Sequence, residues 1–422
     1  VVDHAVSYHA LGPRLATLKL RAYARGFMPS PRPLGDAHNF GRRVALRGDF
    51  VEKPRPVRWE QLLLNAKSPL RRLLATAAER AGLGADAFDF LPSLRFVRPN
   101  SRTGARVERI ELAPLGRLNR AEKAELARVA GRSLALFSWL GVADLHWENL
   151  VLGAGERGRI VFAPLDIEMI LDDFESPTET KLIPAADPEY AAMNRHAAGL
   201  RRLLPYLGKP LPGALLLTMA AAYLRTLSLL DEAARDIAAM LESVAHFRTT
   251  PIRVCLRGTD EYVRAASVPP WPPLLAAETE QLARGDIPYF FRLYGERGIR
   301  YYDRRALTHS VTLPARGDVP RLEPLLSTAR ALRSARRRRL REEGLFALLG
   351  AFDHAGLTGR TVSQGLGATF TARRITVTLP SGAELTSRRD LGVFVGSLYL
   401  RCRCGEVRTP FVPPVTRCTG GL

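Results

Sequence analysis

Lysine is scarce in this 422-residue chain: of its 62 basic residues only six are lysines, and against 42 acidic residues the formal net charge is +20. Such a balance attracts anions of any kind. An arginine excess of this size is also the habit of GC-rich coding, so the charge argues little for nucleic acid. No interleaved aromatic and basic motif of the RNA and DNA readers is present, and nucleic acid is not expected as a partner. Cysteine is sparse too. Four in the whole chain, three of them in the last 21 residues (Cys402, Cys404, Cys418), exclude a disulfide framework and make a cytoplasmic protein the expectation. Long apolar runs are missing: the longest, LPGALLLTMAAAYL (211–224), is short for a membrane span and meets Arg225 directly, so it reads as a buried helix with no transmembrane segment expected. The opening VVDHAVSYHALGPRL lacks the parts of a signal peptide, and the chain begins at Val1 as a fragment or a processed chain would.

What is present is ordinary globular material, 46% hydrophobic and 25% charged, long enough for two or three lobes. Two β-rich runs, 42–46 and 50–53, flank a Gly48-Asp49 turn signal. Helical periodicity covers 59–82 with a break at Ser68-Pro69, and a second helix begins near Asn119, which has Glu122 at capping-box spacing, and ends at Gly141. VFAPLDIEMIL (161–171) reads as one short buried strand, and 190–248 as mostly helix. After about 311 come an arginine-rich helix and Gly- and Thr-rich segments expected to form antiparallel strands. The prediction is an α+β fold in three parts: a small β-hairpin lobe (1–105), a large mostly helical lobe (106–310) and a β-rich C-terminal appendage (311–422).

The chemistry concentrates in ADLHWENLVL (143–152). Phosphoryl transfer from ATP needs a lysine on the phosphates, a divalent metal held by oxygen ligands, and a base beside the attacking hydroxyl. Asp144 suits the base, His146 a support for the phosphoryl group, and Asn149 with Asp166, 17 residues on, the oxygen ligands of Mg2+. Taken alone, D-x-H-x-x-N is a turn with an Asp cap and a satisfied histidine. Lys53 at the end of a hairpin fits the phosphate lysine; alone it reads as an exposed edge-strand charge. Together they are similar to the catalytic loop and metal acid of phosphatidylinositol lipid kinases and of aminoglycoside phosphotransferases, which implies a bilobal kinase-like core.

Six strings occur in order: GDAHN (35–39), VEKPR (51–55), DLHWEN (144–149), LDIE (165–168), RVCLRGTDEY (253–262) and GDIPYF (285–290). Over about 34–294 they resemble the dehydratase domain of class II lanthipeptide synthetases, the LanM type. The resemblance implies an enzyme that phosphorylates Ser and Thr of a ribosomally made precursor peptide with ATP and Mg2+, then eliminates phosphate to leave dehydroamino acids. It implies Asp36 and His38 in the phosphate-covering loop, Lys53 on the phosphates, Asp144 and His146 in catalysis, Asn149 and Asp166 on the metal with Glu168 in support, and Arg253 with Thr259 serving elimination. An arginine that grips a departing phosphate dianion suits that step. GDIPYF reads as a structural turn with Asp286 capping and Tyr289 and Phe290 packing, and Glu278 is assigned to the same helix-end arrangement.

The chain departs from the family in three ways. The helical region before GD-x-HN is short, Phe40 replaces a smaller residue, and no zinc cyclase domain follows, which leaves ring formation to a separate cyclase as partner. Cys402, Cys404 and Cys418 read as free thiols rather than zinc ligands. The run 336–339 reads as a solvated helix face, with a hold on an acidic leader segment as the lesser alternative. Two other readings stand beside the dehydratase: a kinase that stops at the phosphorylated product, and a catalytically retired module that binds a peptide.

Overall fold

The computed structural model describes residues 33–172, 174, 176–184, 198–208, 210–257, 259, 261–262, 274–296, 298–303, 307–313, 336–352 and 357–388. The fold is mixed α and β, with antiparallel sheets throughout. The N-terminal sheet has the order β1-β2-β3-β5-β4, from β1 (Pro33–His38), β2 (Arg42–Arg47), β3 (Phe50–Lys53), β4 (Phe96–Val97) and β5 (Ala105–Glu108). Arg47 pairs with Phe50, so the β2–β3 turn has two central residues, and Gly48 takes the left-handed φ of 57° that a glycine-led turn of this length needs. β3 is the central strand, and Lys53 is buried, which overturns the edge-strand reading of that lysine.

Two helices follow β3. α1 (Arg58–Leu64) and α2 (Pro69–Arg80) are separated at the Ser68-Pro69 break, where Ser68 Oγ accepts the Arg71 amide and Pro69 opens the helix without wasting a donor. α3 (Arg120–Trp139) begins as its spacing predicts: Asn119 Oδ1 accepts the Ala121 and Glu122 amides, and Glu122 returns a carboxylate to the Asn119 amide. It ends before Gly141, whose φ of 61° reverses the chain, and a Cβ there would stand 2.1 Å from the Asp172 carbonyl oxygen. That reversal delivers residues 142–149 to the site.

The apolar stretch seen in the sequence is inside α4 (Gly213–Glu232), long and apolar enough to cross a membrane but largely buried against the rest of the protein. α4 packs along α3 at Gly131, where a Cβ would meet the Met219 carbonyl oxygen at 2.1 Å and the Tyr223 nitrogen at 2.9 Å. One apolar cluster runs from Val57 to Val377 and takes in α1 to α4 together with α8 (Gly344–Phe352), after α5 (Ala234–Ser243), α6 (Ala245–Thr249) and α7 (Ala276–Ala283).

Two expectations change. The strand expected over 161–171 ends early: β7 (Ile160–Pro164) pairs with β6 (Leu150–Ala154), and beyond Pro164 the Leu165 amide turns to the Asn149 carbonyl at 2.8 Å. Asp166 is therefore on a turn after the strand. A second sheet, β11-β10-β9-β8, has strands of three residues each: β8 (Ile252–Val254), within TPIRVCL, whose residues read as a strand, then β9 (Phe290–Arg292), β10 (Arg300–Tyr302) and β11 (Ser310–Thr312). The C-terminal strands form as expected, in the meander β12 (Gly359–Ser363), β13 (Leu366–Phe370), β14 (Arg374–Thr378) and β15 (Glu384–Arg388).

The arginine run is no uniform solvated face. Arg336 donates to the Ser138 and Trp139 carbonyls at the end of α3, and Arg337 and Arg341 pair with Asp231, while Arg338 stays exposed. Cys402, Cys404 and Cys418 lie outside the described residues. Gly131→Ala should force α3 and α4 apart and cost about 1–3 kcal/mol. Chemical denaturation of the variant against wild type reads this directly.

Candidate active site

β3 carries Lys53 to the bottom of the N-terminal sheet, where its ammonium donates to Asp166 Oδ1 at 2.7 Å, the Leu165 carbonyl at 2.8 Å and Glu60 Oε1 at 3.0 Å. Lys53 and Asp166 are thus in direct contact although 113 residues separate them in the chain. Arg55, absent from the sequence-derived set, reaches three carboxylates: Glu60, Asp166 and, at 3.1 Å, Glu168. Burial pushes the Asp166 carboxyl up, but Lys53 and Arg55 beside it outweigh that and hold it well below the usual carboxylate range. A third of its side chain stays accessible, as a metal ligand requires. Glu60, on α1, is fully buried, and its Oε2 has no hydrogen-bond partner.

Across the turn, Asp144 sits at φ 63°, a conformation that costs a residue with a side chain. The loop is pinned from both ends by Ala143 N to Met169 O (3.1 Å) and Leu145 N to Thr180 O (2.9 Å). Asn149 Nδ2 donates to the Asp144 carbonyl at 2.9 Å and its Oδ2 at 3.2 Å, which leaves Oδ1 as the acceptor of that amide. Lys181 donates to Asp144 Oδ1 at 2.6 Å and was not anticipated. His146 partly fits the plain reading of the motif, since it caps the one-turn helix Trp147–Asn149, with Nδ1 accepting the Glu148 amide at 3.4 Å. Its Nε2 is 3.8 Å from Asp144 Oδ1, and burial holds the imidazole below its ordinary value of 6.5.

Arg253 lies on β8, its amide donating to the Glu168 carbonyl at 2.9 Å. Its guanidinium is 3.6 Å from Glu168 Oε1 and stands over the Tyr289 ring at 5.5 Å, and its buried Nε has no hydrogen-bond partner. Glu168 therefore links Arg55 to Arg253, and the two halves of the site share one carboxylate. His38 completes this side: Nδ1 donates to the Ile287 carbonyl at 2.9 Å, and its ring meets Tyr289 edge-on at 6.0 Å. A carbonyl can only accept, so the proton is on Nδ1 and Nε2 is left basic. Burial first, and then the charge of Arg253, lower the His38 pKa, so the ring is neutral at pH 7.

Asp286 corrects its expected role. Its carboxylate accepts the Phe40 and Gly41 amides, each at 2.7 Å, so it organises the β1–β2 turn instead of capping a helix. Those two donors, which a phosphate-covering loop would offer an anion, already hold an internal one. Phe40 is accommodated at φ 72° with the Arg284 guanidinium 4.4 Å over its ring. Glu278 is likewise misassigned: it opens α7, accepting the Leu275 amide at 2.7 Å, Arg257 at 3.0 Å and the Tyr262 hydroxyl at 2.8 Å. Tyr289 and Phe290 pack as expected.

Asp36 is exposed, and Thr259 is half-buried in a helical turn. Among the described residues no three His, Cys, Asp or Glu side chains gather as a metal cluster, so a cation here would rest on Asp166 and the Asn149 amide oxygen. That pair of hard oxygens suits Mg2+, which takes few protein ligands and keeps water or phosphate oxygens for the rest.

Glu60→Ala strips a buried carboxylate from two cations and should cost about 3–5 kcal/mol by denaturant titration. Arg253→Ala should raise the His38 pKa, because a positive neighbour is removed; NMR titration of the imidazole measures it. No family model matches this chain, and no curated protein matches it.

Proposed function

We propose that the chain is a peptide dehydratase of the lanthipeptide type, built on a bilobal kinase-like core. It would act in the cytoplasm on a ribosomally made precursor peptide with ATP and Mg2+. The observation that carries this reading is the contact of Lys53 with Asp166. A lysine on a central strand of a small sheet, paired with a glutamate on the next helix and set beside a metal acid, is the arrangement kinases use on ATP phosphates. Lys53, Glu60 and Asp166 supply it.

In the first step the oxygen of a Ser or Thr hydroxyl bonds to the γ-phosphorus as the bond to ADP breaks, and ADP leaves with the electron pair. Asp144 takes the hydroxyl proton, oriented by Asn149. His146, close to Asp144, supports the phosphoryl group. Mg2+ would rest on Asp166 and Asn149 and neutralise phosphate charge. Lys53 holds the phosphates and must share its carboxylate partners to do so.

In the second step the phosphate ester is gripped by Arg253, whose unpartnered Nε is a donor ready for an oxyanion. The α-proton is removed, the Cβ–O bond breaks, and phosphate leaves with that pair as the double bond forms. Neutral His38, packed with Arg253 on the Tyr289 ring, suits the base of this step. A second reading is a kinase that stops at the phosphorylated product.

Incubation with ATP, Mg2+ and a Ser- and Thr-rich peptide encoded beside the gene, followed by mass spectrometry, tests both. Loss of water supports the dehydratase, gain of phosphate the kinase, and an unchanged peptide a binding module. Arg253→Ala should accumulate phosphopeptide, and Asp166→Ala should abolish both steps. Normal dehydration by the first variant, or persistent phosphorylation by the second, removes the residue from its role.

A further inference from the structure

Among the four lysines of the described residues, Lys53 and Lys181 point at the site, and of these only Lys53 belongs to the motifs that led there. Lys181 follows the one-turn helix Pro177–Thr180, which is closed at its start by a capping box between Ser176 and Glu179. It then takes a left-handed φ of 65°. Its carbonyl accepts the Gly199 amide at 3.0 Å, and the preceding Thr180 carbonyl accepts Leu145 from the Asp144 loop at 2.9 Å. The ammonium ends 2.6 Å from Asp144 Oδ1, with 13% of the side chain exposed.

Two residues with side chains therefore meet across an ion pair, each in a conformation that costs on the order of 1–3 kcal/mol. In a largely buried ion pair the cost of desolvating both charges offsets most of their attraction, which leaves too little to account for both. Strain held in place beside the candidate base fits a positioned functional group better than a stability device. Lysine rather than arginine also fits, because a compact point charge can be shared between a carboxylate and a phosphoryl oxygen, where a guanidinium fork would commit to the carboxylate.

We propose that Lys181 is a second phosphate-directed lysine, set beside the base Asp144 on the attacking side of the transferring phosphoryl group, opposite Lys53 and Asp166. It rests on the phosphotransfer reading above. During transfer the hydroxyl proton passes to Asp144 and the electron pair leaves with ADP; Lys181 keeps its protons and offsets charge on the phosphoryl oxygens. Such a cation acts on the group in flight more than on bound nucleotide.

The test uses the full chain and needs no peptide. Calorimetry compares MgADP with MgADP plus aluminium fluoride, whose planar anion mimics the phosphoryl group between donor and acceptor. Wild type should bind the fluoride complex more tightly than MgADP. Lys181→Met should keep MgADP affinity within about threefold yet lose about 100-fold for the fluoride complex, the lower end for removing one such donor. Lys181→Arg should recover part of that loss. If Lys181→Met fails to fold, Lys181→Gln carries the same comparison. A neutral variant that keeps the fluoride preference, or loses MgADP affinity equally, overturns the assignment, as does a wild type that binds MgADP without tightening. A wild type that binds neither ligand sinks the phosphotransfer reading, and this inference with it.

Discussion

Three cations and three carboxylates, interleaved at the junction of the N-terminal sheet with the helical region, are the constraint around which the site is arranged. Lys53 and Arg55 come from one strand and its exit, Glu60 from the next helix, Asp166 and Glu168 from a turn after β7, and Arg253 from a second sheet. None of these charges could be buried alone, because a lone ion in a low-dielectric interior costs several kcal/mol. Each is tolerated because the others are present. The cluster therefore makes the meeting of these segments close to obligatory, and any metal or phosphate entering it must exchange with charges already in place.

The network also unites what would otherwise be two sites. Arg55 and Arg253 bind the same Glu168 carboxylate. A change of charge at Asp166 is felt at Arg253 through one shared acid, without any movement of the chain. On the proposed dehydratase reading, adding and then expelling a phosphate would both take place within reach of this one carboxylate.

Elements dominated by local signals were legible in the sequence: the Gly48-Asp49 hairpin, the Ser68-Pro69 break, the Asn119 capping box and the C-terminal meander. Each is decided by residues a few positions apart. Lys53 and Asp166 were both singled out for one phosphate pocket, since lysine stands out in an arginine-rich chain; their direct contact is what the structure adds. Arg55, Glu60 and Lys181 were missed because their partners lie far away in sequence, or, for Glu60, because an acid on a short helix carries no sign of burial. Three-residue strands give no usable alternation, so of the second sheet only β8, in TPIRVCL, is legible. Arg336 was read as solvated because a run of like charges conceals the one member that turns inward to two helix-end carbonyls.

The carboxylate of Asp286 bonded to the Phe40 and Gly41 amides has a consequence for selectivity. The front turn is a plugged anion nest. Sulfate or free inorganic phosphate arriving there finds its donors satisfied and gains nothing by docking. The buried carboxylate thus does for the turn's two amides what an outside anion would otherwise do.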